Sequence, residues 1–172
     1  ENLHPFTFGH DIAFAHNGDL YRFAHMKYDL LEFIHPDFKP LIKGTTDSEW
    51  VCAVFMTHLL VAKNIDQPNE QEVYQALVRT IETLQSVRQK HDIHTHSPLN
   101  LFITNGSFVA ASRYVIDIHQ PAEDEAWDTT EAHSLWYTHG ENYGFYDDTY
   151  RMNDIKAEDS IIISSEPLTA DN

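Results

Sequence analysis

The chain has 172 residues, with 27 Asp and Glu against 11 Lys and Arg, so its formal charge is −16 before the 12 histidines are counted. That balance excludes nucleic acid or an anionic membrane gripped through a basic surface. No apolar run approaches the roughly 20 residues of a bilayer span and no signal-peptide pattern opens the chain, while 42% hydrophobic residues suffice for one packed core. Cys52 is the single cysteine; it cannot form an intrachain disulfide, and it fits a reducing cytoplasm.

The chain opens on Glu1 rather than methionine, and the apolar segment Leu3-His4-Pro5-Phe6 begins at once, which predicts an internal piece of a longer protein. Residues 11–16 alternate Ile12 and Phe14 with Ala13 and Ala15, a short strand buried on both faces that ends in a turn at Asn17-Gly18. Over residues 20–41, Pro36 and Pro40 restrict helix to one short stretch near 28–33. Thr46-Asp47-Ser48-Glu49 reads as a capping box, and the helix it starts is apolar almost all round over residues 50–62, the pattern of a helix inside a core. Asn69 with Glu72 offers a second box. After it Val73, Leu77, Ile81, Leu84 and Val87 recur at helical spacing, which predicts an amphipathic surface helix.

Beyond Pro98 the period changes. Residues 99–104 and 107–114 flank Asn105-Gly106, the signal for a hairpin with a two-residue type I′ turn. Residues 121–128 read as an acidic loop, 134–138 as a short aromatic strand, and 140–148 as a polar, tyrosine-rich loop. Ile161 to Ser164 reads as a buried strand before a turn, with a C-terminal portion expected beyond it. With no repeat or linker, the expectation is one domain of α+β class, helices layered on mostly antiparallel strands.

Few residues stand out as chemistry. His91-x-x-His94-x-His96 is the densest histidine cluster, but it lacks the H-E-x-x-H, C-x-x-C or paired Glu-x-x-His company of a full ligand set, so no metal is assigned. The G-x-S-x-G, G-x-G-x-x-G and P-loop patterns are absent from the sequence. Cys52, early in an all-apolar helix, reads as a small hydrophobe rather than a nucleophile. Asn17-Gly18 has two readings: a hairpin turn, or a side-chain amide beside a glycine amide that together donate to a developing oxyanion. Asp47, in the first turn of a helix, either complements the helix dipole or meets a ligand ammonium.

Taken in order, Glu1-Asn2-Leu3-His4-Pro5-Phe6, His16-Asn17-Gly18-Asp19-Leu20 and Gly44-Thr45-Thr46-Asp47-Ser48-Glu49, with Ser165-Glu166-Pro167-Leu168 near the end, resemble the glutaminase domain of class II glutamine amidotransferases. The likeness is greatest to the stand-alone branch, which includes the amidohydrolase of ergothioneine biosynthesis and the amidotransferase subunit of the fungal glutathione-degrading complex, and it covers residues 1–172. It implies an N-terminal-nucleophile hydrolase fold, a four-layer αββα sandwich with antiparallel sheets, incomplete here at the N-terminus. It also implies glutaminase chemistry: an N-terminal cysteine attacks the γ-amide of glutamine or a γ-glutamyl compound, its own α-amino group is the base, and a thioester forms.

Carried onto this chain, the resemblance makes the Asn17 side-chain amide and the Gly18 backbone amide the oxyanion hole. Asp47 becomes the acceptor for the substrate α-ammonium, and His4, His16 and Glu49 take supporting roles. The family's cysteine, and the arginine that clamps the substrate carboxylate, precede the segment at which this chain begins. These residues are therefore expected to hold the oxyanion and amine half of a site without its attacking half, and to be silent alone. No cofactor is implied; the partners are glutamine or a γ-glutamyl substrate, with a partner subunit or ammonia acceptor left open. The alternatives are a pseudo-enzyme domain that keeps the pocket but binds a protein or ligand, and a histidine-rich metal module.

Overall fold

In the computed structural model, which describes residues 3–8, 11–117, 134–153 and 160–168, the first strand, β1, is Ala13–Gly18. The expected acidic loop at 121–128 lies outside the described residues. Two compact units divide the chain, residues 1–130 and 131–172.

In the first unit β1 pairs antiparallel with β2 (Ser97–Thr104), which pairs with β3 (Val109–Ile116), in the order β1-β2-β3. Phe14 and His16 are buried, whereas Ala13 and Ala15 are half-buried, so the strand is fully covered on one face only. The chain does not turn at Asn17-Gly18: Asn17 pairs with Asn100 and Gly18 with Leu99, and pairing stops only where Pro98, which has no N–H, faces Asp19. The hairpin at Asn105-Gly106 has a four-residue loop, 105–108, instead of a type I′ turn. Within that loop Gly106 alone has the left-handed φ, +85°. The Asn105 carboxamide and the Thr104 hydroxyl accept from the Ser107 and Gly106 N–H groups, both at 3.0 Å, and this side-chain bonding closes the wider loop.

The first helix, α1 (Phe23–Leu30), starts earlier than the expected 28–33, and residues 31–33 continue it as one 3-10 turn. Only Met26 and Leu30 of α1 are buried, too few apolar positions to set a visible period among so many aromatics. By contrast α2 (Asp47–Leu59) buries every residue from Val51 to Met56. It packs on β1, where Phe14 and Phe55 rings lie 5.3 Å apart, and on α3 (Glu70–Lys90). At the start of α3 the capping box is complete, with Asn69 and Glu72 exchanging two 2.9 Å hydrogen bonds.

No such box opens α2. Thr46 is the N-cap residue, but its hydroxyl is buried with no hydrogen-bond partner. The Glu49 carboxylate, also buried, instead accepts the N–H groups of Lys43, at 2.9 Å, and Gly44.

In the second unit β4 (Trp136–Gly140) pairs with β7 (Ser160–Ser164), and β5 (Asn142–Tyr146) with β6 (Thr149–Asn153), all antiparallel. The expected loop at 140–148 is therefore strand β5 and its turn. Asp147 and Asp148 both take left-handed φ, 51° and 65°, the type I′ geometry that short polar side chains tolerate. Tyr143 stacks on Tyr150 and Phe145 meets it edge-on, cross-strand contacts that steady the ribbon. β7 lies at the expected place, but Ile161 is exposed and Ile162 and Ile163 half-buried, so the strand is not a buried one. Helices with antiparallel sheets make the chain α+β.

Candidate active site

Three backbone facts prepare the end of β1 as a donor site. Hydrogen bonds alternate along an antiparallel ladder, and the Asp19 N–H bonds to the Pro98 carbonyl at 3.2 Å, so Asn17 lies in the next bonded pair and Gly18 between them. The Gly18 N–H accordingly points away from β2, toward the outer edge of the sheet. On that same edge Phe14 exchanges two hydrogen bonds with Phe6, at 2.8 and 3.0 Å, which docks the segment after Leu3-His4-Pro5 alongside β1. His4 is exposed and packs edge-on to Phe6 with ring centroids 4.8 Å apart.

Gly18 is glycine because of a close approach rather than a turn. A Cβ there would collide with the Pro98 carbonyl oxygen and lie 2.7 Å from His16 Nε2.

Asn17 is exposed, and its carboxamide is oriented: Oδ1 accepts from Asn100 Nδ2 at 3.2 Å. That leaves Nδ2–H, the donor end, as the free end of the group.

The second motif is brought to the first by two hydrogen bonds. His16 Nδ1 lies 2.9 Å from Ser48 Oγ, both groups buried, and the Leu20 N–H donates to Asp47 Oδ2 at 2.7 Å. Asp47 Oδ1 accepts from the Ser48 N–H at 2.8 Å, so the half-buried carboxylate is held by two backbone amides and keeps lone pairs for a further donor. Thus Asn17, Gly18 and Asp47, chosen from sequence, lie around one clip between the end of β1 and the start of α2. Burial lowers the His16 pKa, with the Asp47 charge and the Pro98 carbonyl pulling the other way, so the ring is neutral at pH 7.

Other groups were not foreseen. Asn100 interrupts the apolar run Leu99-Asn100-Leu101 and is buried, a signal that the sequence does carry. Arg88, fully buried at the end of α3, donates to the Tyr21 carbonyl at 3.3 Å, to Ser97 Oγ at 2.8 Å and to the Thr95 carbonyl, with Asp117 at 3.6 Å. Ser97 Oγ in turn accepts the Tyr21 N–H at 3.0 Å, so this network holds the chain just beyond the β1 donors.

Cys52 is buried, and burial pushes its thiol well above its ordinary range, as a core residue rather than a nucleophile. The three clustered histidines do not converge: His91 bonds Asp29 at 2.5 Å and His94 bonds Asp92 at 2.8 Å. Among the described residues no three potential metal ligands gather.

Comparison with known proteins shows which family the chain belongs to. The family Glutamine amidotransferases class-II matches residues 1–172, and the chain belongs to it. The probable glutamine amidotransferase DUG3 of Saccharomyces cerevisiae is 32% identical over 181 residues, covering 98% of this chain and 47% of its own length. A glutamine aminotransferase class-II domain protein from Silicibacter pomeroyi has a solved structure that superposes with TM-score 0.66 at 24% identity, over 99% of this chain and 60% of that one. The two share a fold. This chain therefore spans about half the length of the yeast relative. Among the described residues no helix is long and apolar enough to cross a membrane.

Proposed function

We propose that residues 1–172 act as one glutaminase-type domain that hydrolyses the γ-amide of glutamine or of a γ-glutamyl compound. Asn17 Nδ2–H and the Gly18 N–H stabilise the oxyanion as the amide carbon becomes tetrahedral, and Asp47 accepts the substrate α-ammonium. The nucleophile in this reading is the family's N-terminal cysteine, supplied from outside these residues, with its own α-amino group as base. A thioester forms as ammonia leaves, and water then releases the acid; no cofactor takes part. The fixed orientation of the Asn17 amide carries the proposal, since a carbonyl oxygen presented there would repel an oxyanion. A reducing cytoplasm suits a catalytic thiol.

The test is glutaminase turnover by the native full-length protein and by its Asn17→Ala variant. Loss of one oxyanion donor should lower kcat by about 10² to 10³ fold with KM little changed. An unaltered kcat removes Asn17 from the mechanism. A full-length protein that is folded, binds glutamine and shows no turnover would favour the pseudo-enzyme alternative.

A further inference from the structure

We propose that Asn100 is a positioning residue, whose carboxamide sets the Asn17 side chain with its donor end outward. An asparagine amide carries a donor at one end and an acceptor at the other, and its terminal torsion is broad and nearly two-fold. Left alone, an exposed Asn17 presents its oxygen as readily as its nitrogen, and the oxygen opposes a developing oxyanion. The strand register removes that freedom. Asn17 and Asn100 are direct cross-strand partners, and Asn100 Nδ2 donates to Asn17 Oδ1 at 3.2 Å, which occupies the acceptor end.

Asn100 is only 3% exposed, so its own conformation is packed in place. Its Oδ1 is buried with no hydrogen-bond partner. Reversing the pair would satisfy that oxygen but strip Asn100 Nδ2 of its acceptor, and orphaned buried N–H groups are rarer than under-satisfied carbonyl oxygens. The observed sense of the pair is therefore the favoured one, and it is the sense a glutaminase needs.

The proposal rests on the glutaminase reading, and two measurements separate them. In 15N-labelled full-length protein, exchange of the side-chain amide hydrogens with water reads the orientation without any catalysis. The Asn17 hydrogens should exchange freely and those of Asn100 be protected; protection of the Asn17 amide instead overturns the proposal whatever the activity.

Kinetics supply the second reading. Asn100→Asp is nearly isosteric but reverses the polarity: its carboxylate draws in the Asn17 Nδ2–H and turns Oδ1 outward. We expect a kcat loss of about 10² fold with little change in KM, larger than the loss in Asn100→Ala, where the amide is merely released. The ratio of Asn100→Asp to wild-type kcat should also rise as pH falls and the introduced carboxyl takes up a proton that can bond Asn17 Oδ1. A purely structural Asn100 gives the opposite order, with alanine the worse substitution, and no recovery at low pH; either result overturns the proposal. Wild-type kcat in Asn100→Asp beside a slow Asn17→Ala removes Asn100 alone, whereas a fast Asn17→Ala removes the glutaminase reading and the positioning role together. Should Asn100→Asp fail to fold, the exchange measurement on the wild type still decides.

Discussion

Gly18 shows how a single residue links packing to the donor site. The backbone of β2 passes so close that even a methyl group would strike the Pro98 carbonyl, and a backbone atom in a paired strand has little room to give. Gly18→Ala should therefore destabilise the protein by about 1–3 kcal/mol, the range for overpacking, and should lower kcat as the edge amide shifts. Equilibrium unfolding in urea measures the first effect; an unchanged midpoint rejects the close approach. Asp47 tests the other half of the site. Asp47→Asn keeps an oxygen for the Leu20 N–H but removes the charge, so KM for glutamine should rise more than kcat falls. Wild-type affinity in that variant removes the ammonium role. Both residues were visible as candidates in the sequence, yet Asn-Gly is also a turn signal, and pairing with Asn100 and Leu99 shows that here it is strand.

At the scale of an element, the start of α2 separates a motif from its chemistry. Thr46-Asp47-Ser48-Glu49 has capping-box spacing, and the helix does begin there, but Glu49 turns back to hold the Lys43 and Gly44 amides while the Thr46 hydroxyl caps nothing. Thr46→Ala should consequently cost well under the ~1 kcal/mol typical of a lost N-cap. Glu49→Gln, which sets an NH2 group against one of those amides in a buried place, should cost about 1–3 kcal/mol. Unfolding free energies of the two variants check this, and the reverse ranking would restore the capping box. The real box, Asn69 with Glu72, lies on an exposed turn, where the Glu72 carboxylate reaches the cap amide with one oxygen and the Lys63 N–H with the other, so its spacing and its chemistry agree. The β5–β6 ribbon was missed for a related reason: Asp-Asp in the turn and alternating tyrosines replace the Asn-Gly and aliphatic residues that mark a hairpin.

Across the whole molecule, one buried and one half-buried histidine tie stability to pH. Burial lowers the pKa of His16, and of His58 with help from Arg79, below the ordinary 6.5, so the unfolded chain binds their protons more readily than the folded one. Stability from these groups is complete above about pH 6.5 and is lost as pH falls toward the folded values. Asp29, lowered by Lys90 and His91, and Glu72, lowered by the Asn69 and Lys63 amides, add a weaker decline in the same direction below their ordinary 3.8 and 4.5. Melting temperature should drop as pH falls below about 6.5, and less steeply in His16→Asn. An equal slope in that variant would take His16 out of the response.

The α+β class, the buried α2, the amphipathic α3 and the ordered motifs of the family were legible in the residues alone, because apolar period and short-range spacing are local properties. It took the folded chain to show that Asn17-Gly18 is strand rather than turn, that Asn100 bonds Asn17, and that Ser48 and Asp47 clip α2 to β1 across 32 and 27 residues. Arg88 belongs with these, since its partners Tyr21, Ser97 and Asp117 come from three separate stretches of chain. Polar contacts of that kind depend on strand register and on which side chain reaches a buried amide first, and neither leaves a period in the sequence.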